Sequence, residues 1–372
     1  MKIVSIVSLL AAAAGALLIA VSGAHAEDKP SEIRLAVPQV GSGNRPFVGG
    51  HSLAVMHLKG LLEEEFRKDG IKVTWTFLRG AGPAVNELYA NGLVDFSSLG
   101  DLPSIVGRAS GLKTRVLAST SIRSNTYLAV PSDSSIQSVK DLRGKRVAIF
   151  KGTNIQLSVA KILEANGLKE SDIKAINMDN ATARAALITK DIDAAFGDYQ
   201  YFSLRDQGAA KIVYATAGDP RYLRHGSFLG SESFIAKYPE ITKRVVKQLV
   251  LAAKWISEQE NSPTPVYQLW AKSGYPYSAF KEDTKGQSLK VLSSPLIDPY
   301  ITAQYKQQIN DAKRFALIKN TYDYDGWTDT RYLTAALKEL GLENYWEPIG
   351  PSGKPTRSAT LTSTAGGATT AP

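Results

Sequence analysis

The chain has 372 residues, a formal net charge of +9, 44% hydrophobic residues and no cysteine. The missing cysteine excludes disulfides, thiolate nucleophiles, cysteine-ligated metals and a lipid anchor on an N-terminal cysteine. The length suits two domains better than one core, and the basic residues are scattered, which indicates a solvated surface rather than a nucleic-acid face, while still drawing anions from a distance.

The N-terminus reads as a cleavable export signal over 1–26. Lys2 precedes an apolar run from Ile3 to Val21, and Ala24-His25-Ala26 gives the small-x-small cleavage pattern before the polar Glu27-Asp28-Lys29. The run is nearly long enough for a membrane anchor, but its small-residue ending favours a signal, and the mature chain then starts near Glu27.

The body alternates strands and helices. Ile33 to Val37 is a first strand, followed by a Gly-rich loop from Gly41 to Gly50. Ser52 to Phe66 reads as one amphipathic helix. Lys72 to Leu78, Asp95 to Leu99 and Thr114 to Ser119 are further strands, with helices at Pro83 to Asn91 and Leu102 to Ser110 between them. The pattern then restarts. Lys145 to Phe150 is a buried strand, Gly152-Thr153-Asn154 leads into a helix through Gly167, Ile173 to Met178 is a strand, Ala181 to Thr189 a helix and Ile192 to Phe196 a strand.

The restart contains an echo. Val94-Asp95-Phe96 closes on Gly100-Asp101, and Ile192-Asp193-Ala194 closes on Gly197-Asp198. This pattern predicts an α/β protein of two facing lobes, each a mainly parallel sheet flanked by helices. The expected divisions are 27–120 for the first part of lobe I, 121–212 for lobe II, and 213–349 for a mostly helical second part of lobe I. Crossings are expected at 121–131 and about 211–220. Residues 350–372 lack bulky apolar side chains and read as a disordered tail outside the fold.

Several stretches together carry a family likeness. They are Thr76 to Ala84, Asn91 to Phe96, Leu99 to Ser104, Val139 to Ala148 running into Phe150 to Asn154, and Ala183 to Ala186 followed by Ile192-Asp193-Ala194. Over roughly residues 31–260 the chain resembles the periplasmic substrate-binding proteins of ABC importers for aliphatic sulfonates, taurine and nitrate. The resemblance implies a two-lobe type II periplasmic binding protein fold that closes on its ligand. It also implies a monomer, partnered by an ABC permease and its ATPase, with no nucleic acid. Within the family it points to sulfonates or sulfate esters, with nitrate, taurine, a pyrimidine or a ligand-sensing role as alternatives. Two departures fall where the ligand should lie. The loop Gly41 to Gly50 is longer than usual in the family, and Gly197-Asp198 stands where family members often carry Trp-Asp.

A sulfonate stays ionised and only accepts hydrogen bonds, so its site needs donors. Helix starts supply them. The candidates are Gly49 to Ser52 at the first helix and Lys151 to Asn154 at the helix of the second lobe, both beyond strand ends. Gly152 permits close backbone approach, while Thr153 and Asn154 either donate to the ligand or merely cap the helix. Gly41 and Ser42 lie in the enlarged loop. Arg45 and Arg79 can each grip two sulfonate oxygens, or be surface arginines. His51 is a further donor or a structural residue. Gly100 and Asp101 border the cleft, and Asp101 caps the next helix rather than meeting an anion. Thr120 and Ser121 offer hydroxyls at a strand end. Asp198 suits a ligand amine, a ligand hydroxyl or a cleft arginine, and Phe47, Tyr199 and Tyr201 could wall an organic tail. No nucleophile–base pair, metal-ligand motif, Gly-x-Ser-x-Gly elbow or Walker loop occurs, so the expectation is a binding protein without catalysis, cofactor or metal.

Overall fold

A computed structural model describes residues 29–217 and 219–356. The expected signal and residues 357–372 of the expected tail lie outside the described residues.

The first lobe opens with β1 (Glu32–Val37), α1 (Ser52–Leu58), α2 (Leu61–Phe66), β2 (Lys72–Phe77), α3 (Ala81–Ala90), β3 (Phe96–Gly100), α4 (Asp101–Ala109) and β4 (Thr114–Ser124). The second lobe comprises β5 (Tyr127–Pro131), β6 (Arg146–Ile149), α5 (Asn154–Ala165), β7 (Lys174–Asn177), α6 (Asn180–Thr189), β8 (Ala194–Gly197), α7 (Phe202–Asp206) and β9 (Ala210–Ala215). The chain then returns through β10 (Arg224–Ser231), α8 (Glu232–Lys237), α9 (Pro239–Glu258) and α10 (Thr264–Ala271). It ends in α11 (Tyr277–Asp283), α12 (Leu289–Leu292), α13 (Pro299–Arg314) and α14 (Arg331–Glu339).

The strand orders are β2-β1-β3-β10-β4 and β7-β6-β8-β5-β9. The two lobes thus share one topology, which is the physical content of the Gly-Asp echo. Each sheet pairs its first three strands in parallel and adds an antiparallel strand contributed from beyond a crossing, β10 in one and β5 in the other. The sheets are therefore mixed, because a chain that leaves a lobe and comes back enters it against the run of its neighbours. Side chains alternate faces as strand geometry requires. Ile33, Leu35 and Val37 of β1 join α1 and α9 on one side, while Ala36 joins the core under α4 and α13 on the other. The second sheet is covered by α5 on one face and by α6 and α7 on the other.

Several sequence expectations need correction. The helix expected over 52–66 is two helices, because Gly60 turns left-handed (φ 63°) between them. The first crossing is narrower than expected, since β4 runs on to Ser124 and β5 starts at Tyr127. β9 and β10 occupy segments read as connection and as the start of a helical remainder. Residues 350–356 are also part of the structure: Ile349 bridges Pro355, and Arg123 donates to the Gly353 carbonyl at 2.8 Å.

Candidate functional site

A cavity of about 370 Å³ lies between the lobes, beyond the carboxyl ends of β1, β3, β6 and β8. Its wall contains Gly41, Ser42, His51, Arg79, Gly100 and Ser121 from the first lobe, and Thr153, Asn154, Asp198 and Tyr199 from the second. These are expected residues that the fold brings together.

Their local roles are more specific than the sequence showed. Both helix starts carry their own caps. The Ala54 N–H donates to Nδ1 of His51 at 3.2 Å. Thr153 Oγ1 accepts from the Ile155 N–H at 3.3 Å and donates to the Phe150 carbonyl at 2.7 Å. The Gly152 N–H donates to Gln156 Oε1 at 2.7 Å. Much of the helix-start donor capacity is therefore already used, and side chains supply the donors instead. Burial pushes the His51 pKa down to about 4, so the imidazole is neutral near pH 7. With Nδ1 accepting, its proton resides on Nε2, which leaves an uncharged donor on the cavity wall.

Six expected residues fall elsewhere. Arg45 is exposed and lies over Gly274, and Phe47 is 38% exposed with its ring 5.8 Å from that of His57. Their loop is held outward because the Ser42 N–H is fixed to the Ser273 carbonyl at 2.8 Å. Asp101 is buried away from the cavity as the first residue of α4, where it accepts from the His225 N–H at 2.8 Å, Gln308 Nε2 at 2.9 Å and its neighbour Leu102 N–H at 2.7 Å. Thr120 is buried against Ser98 (2.8 Å). Gly152 faces the other lobe rather than the cavity, and a Cβ there would lie 2.7 Å from Pro83. Tyr201 is buried beneath Gly197 instead of walling the cavity. Arg79 sits at the rim, half-exposed, paired across the cleft with Asp179 at 3.0 Å.

The strongest charges on the wall were not anticipated. Arg224, at the start of β10, is buried and donates to Thr126 Oγ1 (3.1 Å), to Asn154 Oδ1 (3.2 Å) and to the Asn125 carbonyl. Arg184, on α6, donates to Ser203 Oγ at 2.9 Å and lies 5.6 Å from the Tyr275 ring. Among the described residues neither has an ion-pair partner. Burial raises the pKa of Asp101 and Asp283 to about 6 and that of Asp198 upward, and the nearby Arg224 charge opposes each rise without pairing. Asp283 accepts from the Tyr127 hydroxyl at 2.7 Å. Arg184 Nε and the Tyr199 hydroxyl, both on the wall, are buried without a hydrogen-bond partner of proper geometry. Leu78, Phe150 and Tyr275 give the wall an apolar side. A cavity with unpaired guanidinium groups, a neutral imidazole and unfilled donors can hold an oxyanion without exchanging a proton. Among the described residues no group of His, Asp and Glu is placed to hold a metal ion.

Known proteins match this architecture. The NMT1/THI5-like family model matches residues 65–261. A chain from Bacillus subtilis (strain 168), provisionally named an aliphatic sulfonates-binding protein, is 28% identical over 66% of this chain and 71% of its own. Its counterpart of the same provisional name in Escherichia coli (strain K12) is 26% identical over 68% and 80%. A solved structure from Methylobacillus flagellatus KT, provisionally named the periplasmic sulfonate-binding protein SsuA of a sulfonate ABC transporter, is 30% identical. It covers 86% of this chain and 97% of its own, with a TM-score of 0.70. These relatives are binding proteins rather than catalysts, and the chain belongs with them to the NMT1/THI5-like family, among the periplasmic solute-binding proteins of ABC importers.

Proposed function

We propose that the protein captures an organosulfur anion, a sulfonate or sulfate ester, between its lobes and delivers it to an ABC permease driven by its ATPase. The observation that carries this reading is the buried Arg224 guanidinium on the cavity wall, which has no ion-pair partner among the described residues. A buried cation is costly until an anion joins it. Arg184 and the His51 Nε2–H supply further donors, and Gly41, Ser42, Gly100, Ser121, Thr153, Asn154, Asp198 and Tyr199 complete the wall. The apolar side of a cavity of about 370 Å³ suits an organic tail. Nitrate would leave that side unused, which favours the organosulfur reading. The names carried by the relatives at 26 to 30% identity agree with it, and family membership supports export to the periplasm.

A thermal-shift screen of the purified protein tests the cargo, because a ligand that binds only the native state raises Tm by mass action. Alkanesulfonates, arylsulfonates, taurine, sulfate esters, sulfate and nitrate form the panel. A shift with sulfonates or sulfate esters that exceeds those for sulfate and nitrate is expected. A shift with nitrate alone would overturn the cargo.

A further inference from the structure

We propose that Arg224 is the positioning residue that couples an anion in the cavity to closure of the lobes. This rests on the reading that the cargo is an anion.

Arg224 is the first residue of β10, just past the second crossing between lobes. Its guanidinium reaches the first crossing directly, through Thr126 Oγ1 at 3.1 Å and the Asn125 carbonyl. It also reaches the other lobe, through Asn154 Oδ1 at 3.2 Å at the start of α5. The crossings are bound to each other. The Thr126 N–H donates to Thr216 Oγ1, and the Thr216 N–H returns to the Thr126 carbonyl, each at 3.0 Å. Thr126 Oγ1 also meets Ser158 Oγ at 3.0 Å, and Ser158 donates to the Tyr222 carbonyl at 2.7 Å. One side chain therefore links the cavity, both crossings and α5.

The backbone at the crossings holds two uncommon conformations. Arg123 and Ala217 adopt left-handed φ values of 60° and 48°, a region non-glycine residues seldom occupy. Arg123 lies just before the first crossing, and Ala217 lies within the second. A guanidinium carries five N–H groups in a rigid plane, and the bonds to Thr126, Asn154 and Asn125 leave N–H groups free for a ligand. An anion that takes them fixes the plane of the guanidinium. The fixed plane in turn holds Asn125, Thr126 and Asn154 in the arrangement where the lobes meet. Binding energy then favours the joined state over the open one, which is what differential affinity requires.

The test measures closure separately from affinity. The chain has no cysteine, so Leu93→Cys and Ile188→Cys, at exposed positions of opposite lobes, accept spin labels uniquely. Lobe separation is read by double electron–electron resonance with and without 1-butanesulfonate, and affinity by calorimetry. With otherwise unchanged Arg224, the ligand is expected to shorten and narrow the distance distribution. Arg224→Lys keeps the charge but lacks the planar fork. It is expected to bind at least about ten-fold more weakly and, at saturation, to keep a broad, long distribution. Thr126→Val removes one acceptor of the coupling without touching the cavity wall, and is expected to impair closure at saturation as well. Either variant closing as fully as the parent would overturn the proposal. If the parent binds no alkanesulfonate, an arylsulfonate or sulfate ester of the panel takes its place; if it binds none of these, the cargo reading falls, and the ligand-free comparison still tests the Arg224 links between the lobes. Arg224→Lys should broaden the ligand-free distribution, and an unchanged distribution would overturn the proposal.

Discussion

At the scale of single residues, the two Gly-Asp strand ends show how one local motif serves two ends. Asp198 lines the cavity and caps the turn after β8, accepting from the Gln200 N–H at 3.0 Å. Asp101 occupies the same place in the other lobe but is drawn inward, because β10 brings the His225 N–H to it and α13 brings Gln308. Asp101→Ala would leave those donors and the Leu102 N–H buried and unmatched. It is expected to lower unfolding free energy by about 2–4 kcal/mol, read from urea denaturation. The same contrast explains which parts of the site were legible. Gly100 ends β3 and His51, Thr153, Asn154 and Asp198 lie beyond strand ends, and a strand–turn–helix pattern places them at the cleft from sequence alone. Arg224 begins a strand that the sequence hides, and Arg184 is a lone arginine in an Ala-rich helix. Both reach the cavity only through tertiary packing, which leaves no local signal. Arg45 looked equally suitable but belongs to a loop whose course is set by Ser273, distant in the chain.

At the scale of elements, α5 and β10 do most to bring the lobes together. The sequence places a helix from Gly152-Thr153-Asn154 through Gly167, and the face of α5 toward the first lobe is what matters for function. Asn154 meets Gly100 and Arg224, Leu157 joins the first-lobe core, Ser158 meets Thr126, Lys161 pairs with Asp311 at 3.3 Å, and Glu164 pairs with Arg314. These positions recur at helical spacing, so one stripe of α5 faces the first lobe. β10 was invisible for the opposite reason. Its sequence, Arg224 to Ser231, contains Gly226, Gly230, Ser227 and Ser231 and only two large apolar residues, Phe228 and Leu229, so it gives no strand signal and falls into the stretch read as mostly helical. The glycines are needed where it lies. A Cβ at Gly230 would come within 3.0 Å of Leu117 and Ile235, and one at Gly226 within 2.8 Å of Thr120 and Ser121.

The approach of α5 to α3 gives a test at this scale. Gly152 has φ 75° and stands against Pro83 of the other lobe. Gly152→Val is expected to hold the lobes apart and weaken ligand binding by about ten-fold or more, measured by calorimetry. Local backbone strain alone could also weaken binding, and a second substitution separates the two effects. Pro83→Ala in the same chain removes the opposing ring while leaving the strain at Gly152→Val untouched. Recovery of affinity in the double variant would assign the loss to the lobe–lobe contact, and no recovery would assign it to strain.

At the scale of the whole molecule, the buried titrating groups oppose one another. Burial pushes His51 down to about 4 and His225 to about 3, from an ordinary 6.5. As pH falls below 6.5 the unfolded chain takes up protons on these rings that the folded chain does not. Stability therefore declines until the folded values are reached. Asp101 and Asp283 act in reverse. Burial raises each to about 6 from 3.8, so between those values the folded chain takes up protons that the unfolded chain does not. Stability then rises as pH falls. Burial also raises Asp198 and Asp298 and lowers His57, so groups of both kinds titrate against one another over this interval and the melting temperature is expected to change little between pH about 6 and about 4. Below about 4, carboxylates held low by hydrogen bonds and charge, such as Asp141, Asp193 and Asp219, begin to lose their contribution. Acid unfolding should start there. His51→Asn breaks the balance, because an amide oxygen can still accept the Ala54 N–H while the titrating ring is gone. In that variant acidification from pH about 6 to about 4 should raise the melting temperature. A profile identical to the parent's would mean that His51 titrates in the folded protein as it does in water. The imidazole would then be cationic below pH 6.5 and would add to the tightening of anion binding with acid that protonation of the cavity carboxyls Asp198 and Asp283 already gives.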